Sequence, residues 1–244
     1  MKTDTIKKIF EVESNVEELS KRNLNRILKK ISKYKVVNDE AKVNSAIRGL
    51  CIYHCTNQVN VCKIIKEQKI KIKSNLDGAT SMTNEGSDML QGVDKHIAMS
   101  IGEPWIEYGE YCFIFSLEHI TPTSLVFFID PWKLESDDFE NYFLLRDDFI
   151  VLLKELLSRN VFFFNKKIMF KIPFRKSNLH KLINWNCRKM EIKQDADLDI
   201  TTADEFFVWT RLDRFMYGLV RICWNWIGLL MMAMLITLKL LGKI

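Results

Sequence analysis

Between Leu50 and Lys73 the hydrophobic period of the chain changes twice. Leu50, Cys51, Ile52 and Tyr53 form an apolar run that predicts a short buried strand. His54 and Thr56 follow on either side of Cys55. Asn57 is placed to N-cap a helix whose apolar face comprises Val61, Ile64 and Ile65. Lys69 to Lys73 then alternates Lys-Ile-Lys-Ile-Lys, the period of a strand with one wet face. The unit reads as strand, polar turn, helix, strand, with a His and a Thr presented where the first strand ends. Such an arrangement suits gripping a polar ligand.

Upstream, Val16, Leu19, Leu24, Ile27, Leu28 and Ile31 recur at helical spacing, after a capping-box pattern at Ser14 to Glu17. The opposite face carries Lys21, Arg22, Arg26, Lys29, Lys30 and Lys33: a solvated helix surface, or one that tracks nucleic-acid phosphates. Residues 36–48 predict a loop with a further helical stretch. Downstream, Ser74 to Gly92 is rich in Ser, Thr, Asn, Asp and Gly, too polar for core and long for a connection, which points to a binding loop. His96–Ile101, Tyr111–Leu117 and Ser124–Ile129 predict strands. Arg146–Arg159 predicts a helix burying Phe149, Leu152, Leu153, Leu156 and Leu157. Val161–Phe164 and Ile168–Ile172 predict buried strands, and polar residues Asp195 to Asp204 lead into the apolar run after Glu205. The fold class expected is α+β.

The pattern breaks at the C-terminus. Ile222 to Leu238 holds no charged residue across 17 positions. As a helix this would cover roughly 25 Å of a roughly 30 Å hydrocarbon layer, with Trp224 and Trp226 as interface anchors. The reading is a single transmembrane helix, the remaining alternative being a helix packed on this protein or a partner. Three parts are therefore expected: an N-terminal helical segment (1–48), an α+β domain (49–212) and a C-terminal membrane helix (213–244). No signal peptide is visible, so the expected localisation is the inner membrane, with the N-terminal bulk in the cytoplasm.

Composition adds limits rather than direction. A formal net charge of +5 permits contact with nucleic acid or anionic lipid without requiring it. The six cysteines show no CxxC pair and sit mainly in apolar runs, as buried thiols of a reducing compartment do. The histidines at 54, 96, 119 and 180 never fall in HExxH or other ligand spacing, so no metal site is expected. No P-loop or GxGxxG occurs.

Tyr53-His54-Cys55-Thr56, with Asn60 following at the start of a short helix, resembles the opening motif of the ADP-ribosyltransferase fold. The pattern H-x-T-x-x-x-N is closest to the DarT-like branch. The resemblance implies a split mixed β-sheet core and NAD as substrate. It further implies that His54 hydrogen-bonds the adenosine ribose, that Thr56 and Asn60 support the nicotinamide side, and that a polar loop near residues 74–92 closes over NAD. Such a fold needs one carboxylate at the head of a late strand, and Glu205 is similar in position to the family's catalytic Glu. Glu118 is a second candidate. Trp105 and Tyr108 offer aromatic faces to stack on nicotinamide, or pack as turn aromatics against the sheet.

The function expected is a membrane-anchored, NAD-dependent ADP-ribosyltransferase-like toxin or phage-defence effector. Its acceptor would be a nucleic acid, a protein or water. The partners implied are the membrane, an acceptor polymer, an antitoxin or regulatory protein, and further copies of the chain. The alternative is a non-catalytic nucleotide-sensing domain controlling a membrane-disrupting C-terminal helix.

Overall fold

The structure, a computed structural model, describes residues 13–72, 96–102, 104–105, 108–127, 142–164, 168–171, 190–210 and 213. The chain divides into two compact units, Met1–Phe207 and Val208–Ile244. The first unit opens with helices α1 (Glu13–Ile31) and α2 (Glu40–Arg48), followed by strand β1 (Cys51–Thr56) and helix α3 (Gln58–Glu67). Strands β2 (Lys69–Ile70), β3 (Ile97–Ile101), β4 (Tyr111–Ser116), β5 (Leu125–Phe127) and β6 (Phe143–Leu145) precede helix α4 (Arg146–Arg159). Then come β7 (Val161–Phe164), β8 (Ile168–Lys171), β9 (Glu191–Gln194), β10 (Leu198–Asp199) and β11 (Glu205–Val208).

Seven strands form one sheet in the order β11-β4-β1-β3-β9-β5-β6, and the pairs β10-β2 and β7-β8 stand apart. Every pairing whose register is described is antiparallel. Directly opposed residues share a face, so the registers sort the sheet's side chains into two sets. Ile52, Phe115, Ile101, Met99, Ile192, Val126 and Leu144 fall on one face. They join the main core with Leu24, Ile27 and Ile31 of α1, Ile47 of α2, and the five α4 residues expected from its periodicity. Leu125, Phe127 and Phe143 lie on the other face, clustered with Leu19. Phe115, Phe127, Phe143 and Phe149 are the bulkiest fully buried side chains. Removing one such ring costs about 3–5 kcal/mol.

Helix α1 lies against β6, and polar side chains make that junction. Ser20 Oγ accepts from the backbone N–H of Leu145 at 2.8 Å and donates to Asp148. Asn23 Nδ2 donates to the Phe143 carbonyl at 3.0 Å. Both side chains are buried, although the helical stripe alone marks neither. They supply partners to backbone groups that water cannot reach. The helix begins at Glu13, one residue ahead of the expected cap. Helices α3 and α4 each end on a residue in the left-handed region, Gln68 (φ 55°) and Asn160 (φ 53°), whose N–H groups satisfy carbonyls of the last turn.

The class is α+β, as expected, and the seven-stranded sheet is antiparallel where its registers are described. One expectation about architecture is corrected. The single transmembrane helix is not found: among the described residues no helix is long and apolar enough to cross a membrane. The longest, α1, has 19 residues and carries Glu17, Glu18, Lys21, Arg22, Arg26, Lys29 and Lys30. The apolar run 222–238, on which that expectation rested, lies outside the described residues. The polar stretch 74–92 also lies outside them. In the second unit, Thr210 and Asp213 cap one another: the Thr210 N–H donates to Asp213 Oδ2 at 2.9 Å, and the Asp213 N–H donates to Thr210 Oγ1 at 3.1 Å.

Candidate functional site at the end of strand β1

Strand β1 is an interior strand, bordered by β4 and β3, and its last residues are those that sequence reasoning singled out. Period-2 alternation puts Ile52, His54 and Thr56 on one face and Cys51, Tyr53 and Cys55 on the other. Ile52 is fully buried in the main core. His54, half-buried, and Thr56, buried, continue that face to the end of the strand, opposite Phe113 and Tyr111 of β4. The ring of Phe206 lies 4.8 Å from that of Phe113 and stacks on Tyr111 at 6.4 Å, nearly parallel. A histidine and a threonine thus stand beside a three-ring aromatic shelf. The period of β4 and the apolar run in β11 were visible in the sequence, but only the register brings these rings to His54.

His54 Nδ1 lies 3.2 Å from the Ala98 carbonyl of β3. A carbonyl oxygen only accepts, so Nδ1 carries the proton of the neutral ring and Nε2 keeps its lone pair. Burial lowers the His54 pKa from 6.5 to about 4, and the bond to Ala98 raises it by less. The residue as a whole is half-buried, but its packing between β3 and β4 removes enough water from the ring to leave the imidazole neutral at pH 7.

The N-terminus of α3 follows at once. Asn57 is its cap, with Oδ1 accepting from the Asn60 backbone N–H at 3.0 Å. Val61 and Ile64 are buried as expected, whereas Ile65 is exposed because α3 buries a narrower stripe. Asn60 is half-buried in the first turn of α3.

The turn carrying Trp105 and Tyr108 reaches the same strand end. Tyr108 N–H donates to the Trp105 carbonyl at 3.0 Å, and the two rings lie 5.5 Å apart. Gly109 fixes the approach with φ +151°. A Cβ there would fall 2.0 Å from the carbonyl carbon and oxygen of Thr56, so only glycine fits. His54, Thr56, Asn60, Trp105 and Tyr108 accordingly gather at one end of β1.

Glu205 does not join them. It opens β11 as expected, yet Phe206 lies on the His54 face, so its neighbour Glu205 points to the opposite one. The Cys51 thiol, which is on that opposite face, is pushed up mainly by burial and also by the charges of Glu205 and Asp204. Glu118 sits in the turn Leu117–His119 past the far end of β4, with Ser116 Oγ donating to it at 3.4 Å. Neither carboxylate reaches the Thr56 end on the His54 face. Sequence reasoning assigned Glu205 from its place before an apolar strand, and position along a strand does not reveal the face.

That opposite face has its own chemistry, which sequence reasoning missed. Ser100 and Tyr53 are register partners, Ser100 also faces Glu191, and Ala98 faces Lys193. The Lys193 ammonium pairs with the Glu191 carboxylate, their side chains 7% and 3% exposed. Burial holds the Tyr53 hydroxyl far above its usual range. Among the described residues no group of His, Cys, Asp and Glu could hold a metal ion.

No protein-family model matches the chain, and no curated protein matches it. The functional reading therefore rests on these residues and their geometry.

Proposed function

We propose that this chain binds NAD, or a closely related adenine dinucleotide, at the Thr56 end of β1, as a relative of the ADP-ribosyltransferases. The observation that carries the reading is the neutral His54 ring, oriented by Ala98 and sharing a face with Thr56. A neutral imidazole with one lone pair accepts a hydrogen bond from a ribose hydroxyl without adding charge. Thr56 and Asn60 supply hydroxyl and amide partners alongside it. Trp105 and Tyr108 bring flat apolar faces for a heterocycle.

Turnover asks for more than binding. Scission of the nicotinamide–ribose bond develops oxocarbenium character, which a carboxylate beside the anomeric carbon stabilises. Glu205 stands on the face of the sheet away from His54. The nucleotide-sensing reading is therefore favoured over NAD cleavage or ADP-ribose transfer driven by Glu205.

Calorimetric titration of the full chain with NAD tests the binding, and chromatographic assay of nicotinamide tests the chemistry. The expected result is saturable binding that His54→Ala weakens at least tenfold, with no nicotinamide released above a protein-free blank. Absence of binding overturns the whole reading. Release that Glu205→Gln abolishes restores the transferase.

A further inference from the structure

Cys55 and Cys112 are direct register partners across β1 and β4, on the face turned away from His54. Both are free thiols, and their sulfurs lie 2.9 Å apart. Directly opposed residues of an antiparallel pair have Cα atoms about 4.5 or 5.5 Å apart, and a disulfide spans roughly 4.4–6.8 Å. A bond between these sulfurs thus needs side-chain rotation and no strand movement. The other described cysteines lack this arrangement. Cys51 faces Ser116 and its thiol lies 3.9 Å from the Gly49 carbonyl, while Cys62 is exposed on α3.

We infer that Cys55 and Cys112 are a redox-active cross-strand dithiol that closes to a disulfide when the chain meets a disulfide oxidant such as oxidised glutathione. Cys55 is partly accessible and Cys112 is buried, so the reaction enters at Cys55. The Cys55 thiolate attacks one sulfur of oxidised glutathione, forming a mixed disulfide and releasing one glutathione thiolate. Cys112 then loses its proton to solvent and attacks the Cys55 sulfur, releasing the second glutathione. Two protein thiols are oxidised and one glutathione disulfide is reduced to two thiols. The contact with the Cys55 thiol, and then burial, push the Cys112 thiol well above its usual range. It reacts with an adjacent sulfur, not with reagents from solution. The bond locks the strand position between His54 and Thr56 to β4, so the oxidation state of this pair sets the rigidity of the strand end.

The test treats the full chain with oxidised glutathione, alkylates remaining thiols after unfolding, and maps the peptides by mass spectrometry. The expected product is lighter by two hydrogens, contains one cross-linked peptide joining Cys55 to Cys112, and reverts with dithiothreitol. Cys112→Ser, a near-isosteric change, should instead accumulate a glutathione adduct on Cys55, and Cys55→Ser should give neither species. Alkylation of both Cys55 and Cys112 after oxidation overturns the inference. So does a disulfide formed from Cys51 or Cys62 in their place.

Discussion

Strand β1 shows two chemistries on alternate residues. On one face Ile52 anchors the core, and His54 and Thr56 carry that face out to a strand end met by the Trp105–Tyr108 turn and the α3 cap. On the other, Cys51, Tyr53 and Cys55 neighbour Ser100, Cys112 and, one strand further, the Glu191–Lys193 pair. The first face keeps its ionisable group neutral by removing water from it. The second keeps two ionised groups by pairing them. Burial acts on both, and what differs is whether a counter-charge was brought along.

The largest effect should come from uncoupling the charged pair. Lys193→Met leaves the Glu191 carboxylate buried without its ammonium and should cost about 3–5 kcal/mol, read as a lower urea midpoint at unchanged slope. The double change Glu191→Leu with Lys193→Met should recover most of that loss. Equal destabilisation by the single and double variants would mean that the pair contributes shape and no electrostatics.

A smaller effect belongs to His54. Its folded-state pKa is about 4 against an ordinary 6.5, so the unfolded chain binds this proton first as pH falls. Its contribution to stability is intact above pH 6.5 and is lost progressively down to about pH 4. After discounting for the residue's partial exposure, that loss is roughly 1–3 kcal/mol. Denaturation of the parent and of His54→Gln across this range should diverge by that amount, and parallel curves would show a ring that titrates normally. The smallest effect should come from Asn57→Ala, which removes the α3 cap and should lower stability by about 1 kcal/mol. Unaltered denaturation would mean that water replaces the cap without loss.

The same contrast explains what was legible in the sequence. Helix α4 was readable to its ends, because five apolar residues at helical spacing leave no competing pattern. The β1–α3 junction was readable because Asn57 is a polar cap between two apolar runs. Strand β9 was not readable, since Glu191, Lys193 and Gln194 in four residues look like a solvated loop. Its burial depends on a charge pair that forms only when the strand is inserted between β3 and β5. Strand β6 was hidden because three residues run straight into α4 without a break. Within the candidate site, the local motif and aromatic spacing singled out five residues that lie near the end of β1, and their role there is the proposal made above. The side of the sheet taken by Glu205 depends on the register of β11, and register is a long-range property.

The position of β9 also bears on how the chain acquires its structure. This strand joins β3 to β5, so the half of the sheet holding β1 and the half holding β6 share no ladder until residues 191–194 arrive. Ribosomal synthesis delivers that segment late, after β1, β3, β4, β5 and β6 have emerged with open strand edges. Closure should be correspondingly slow, on the millisecond-to-second scale of domains dominated by distant pairings, and the waiting halves offer unpaired edges to neighbouring chains.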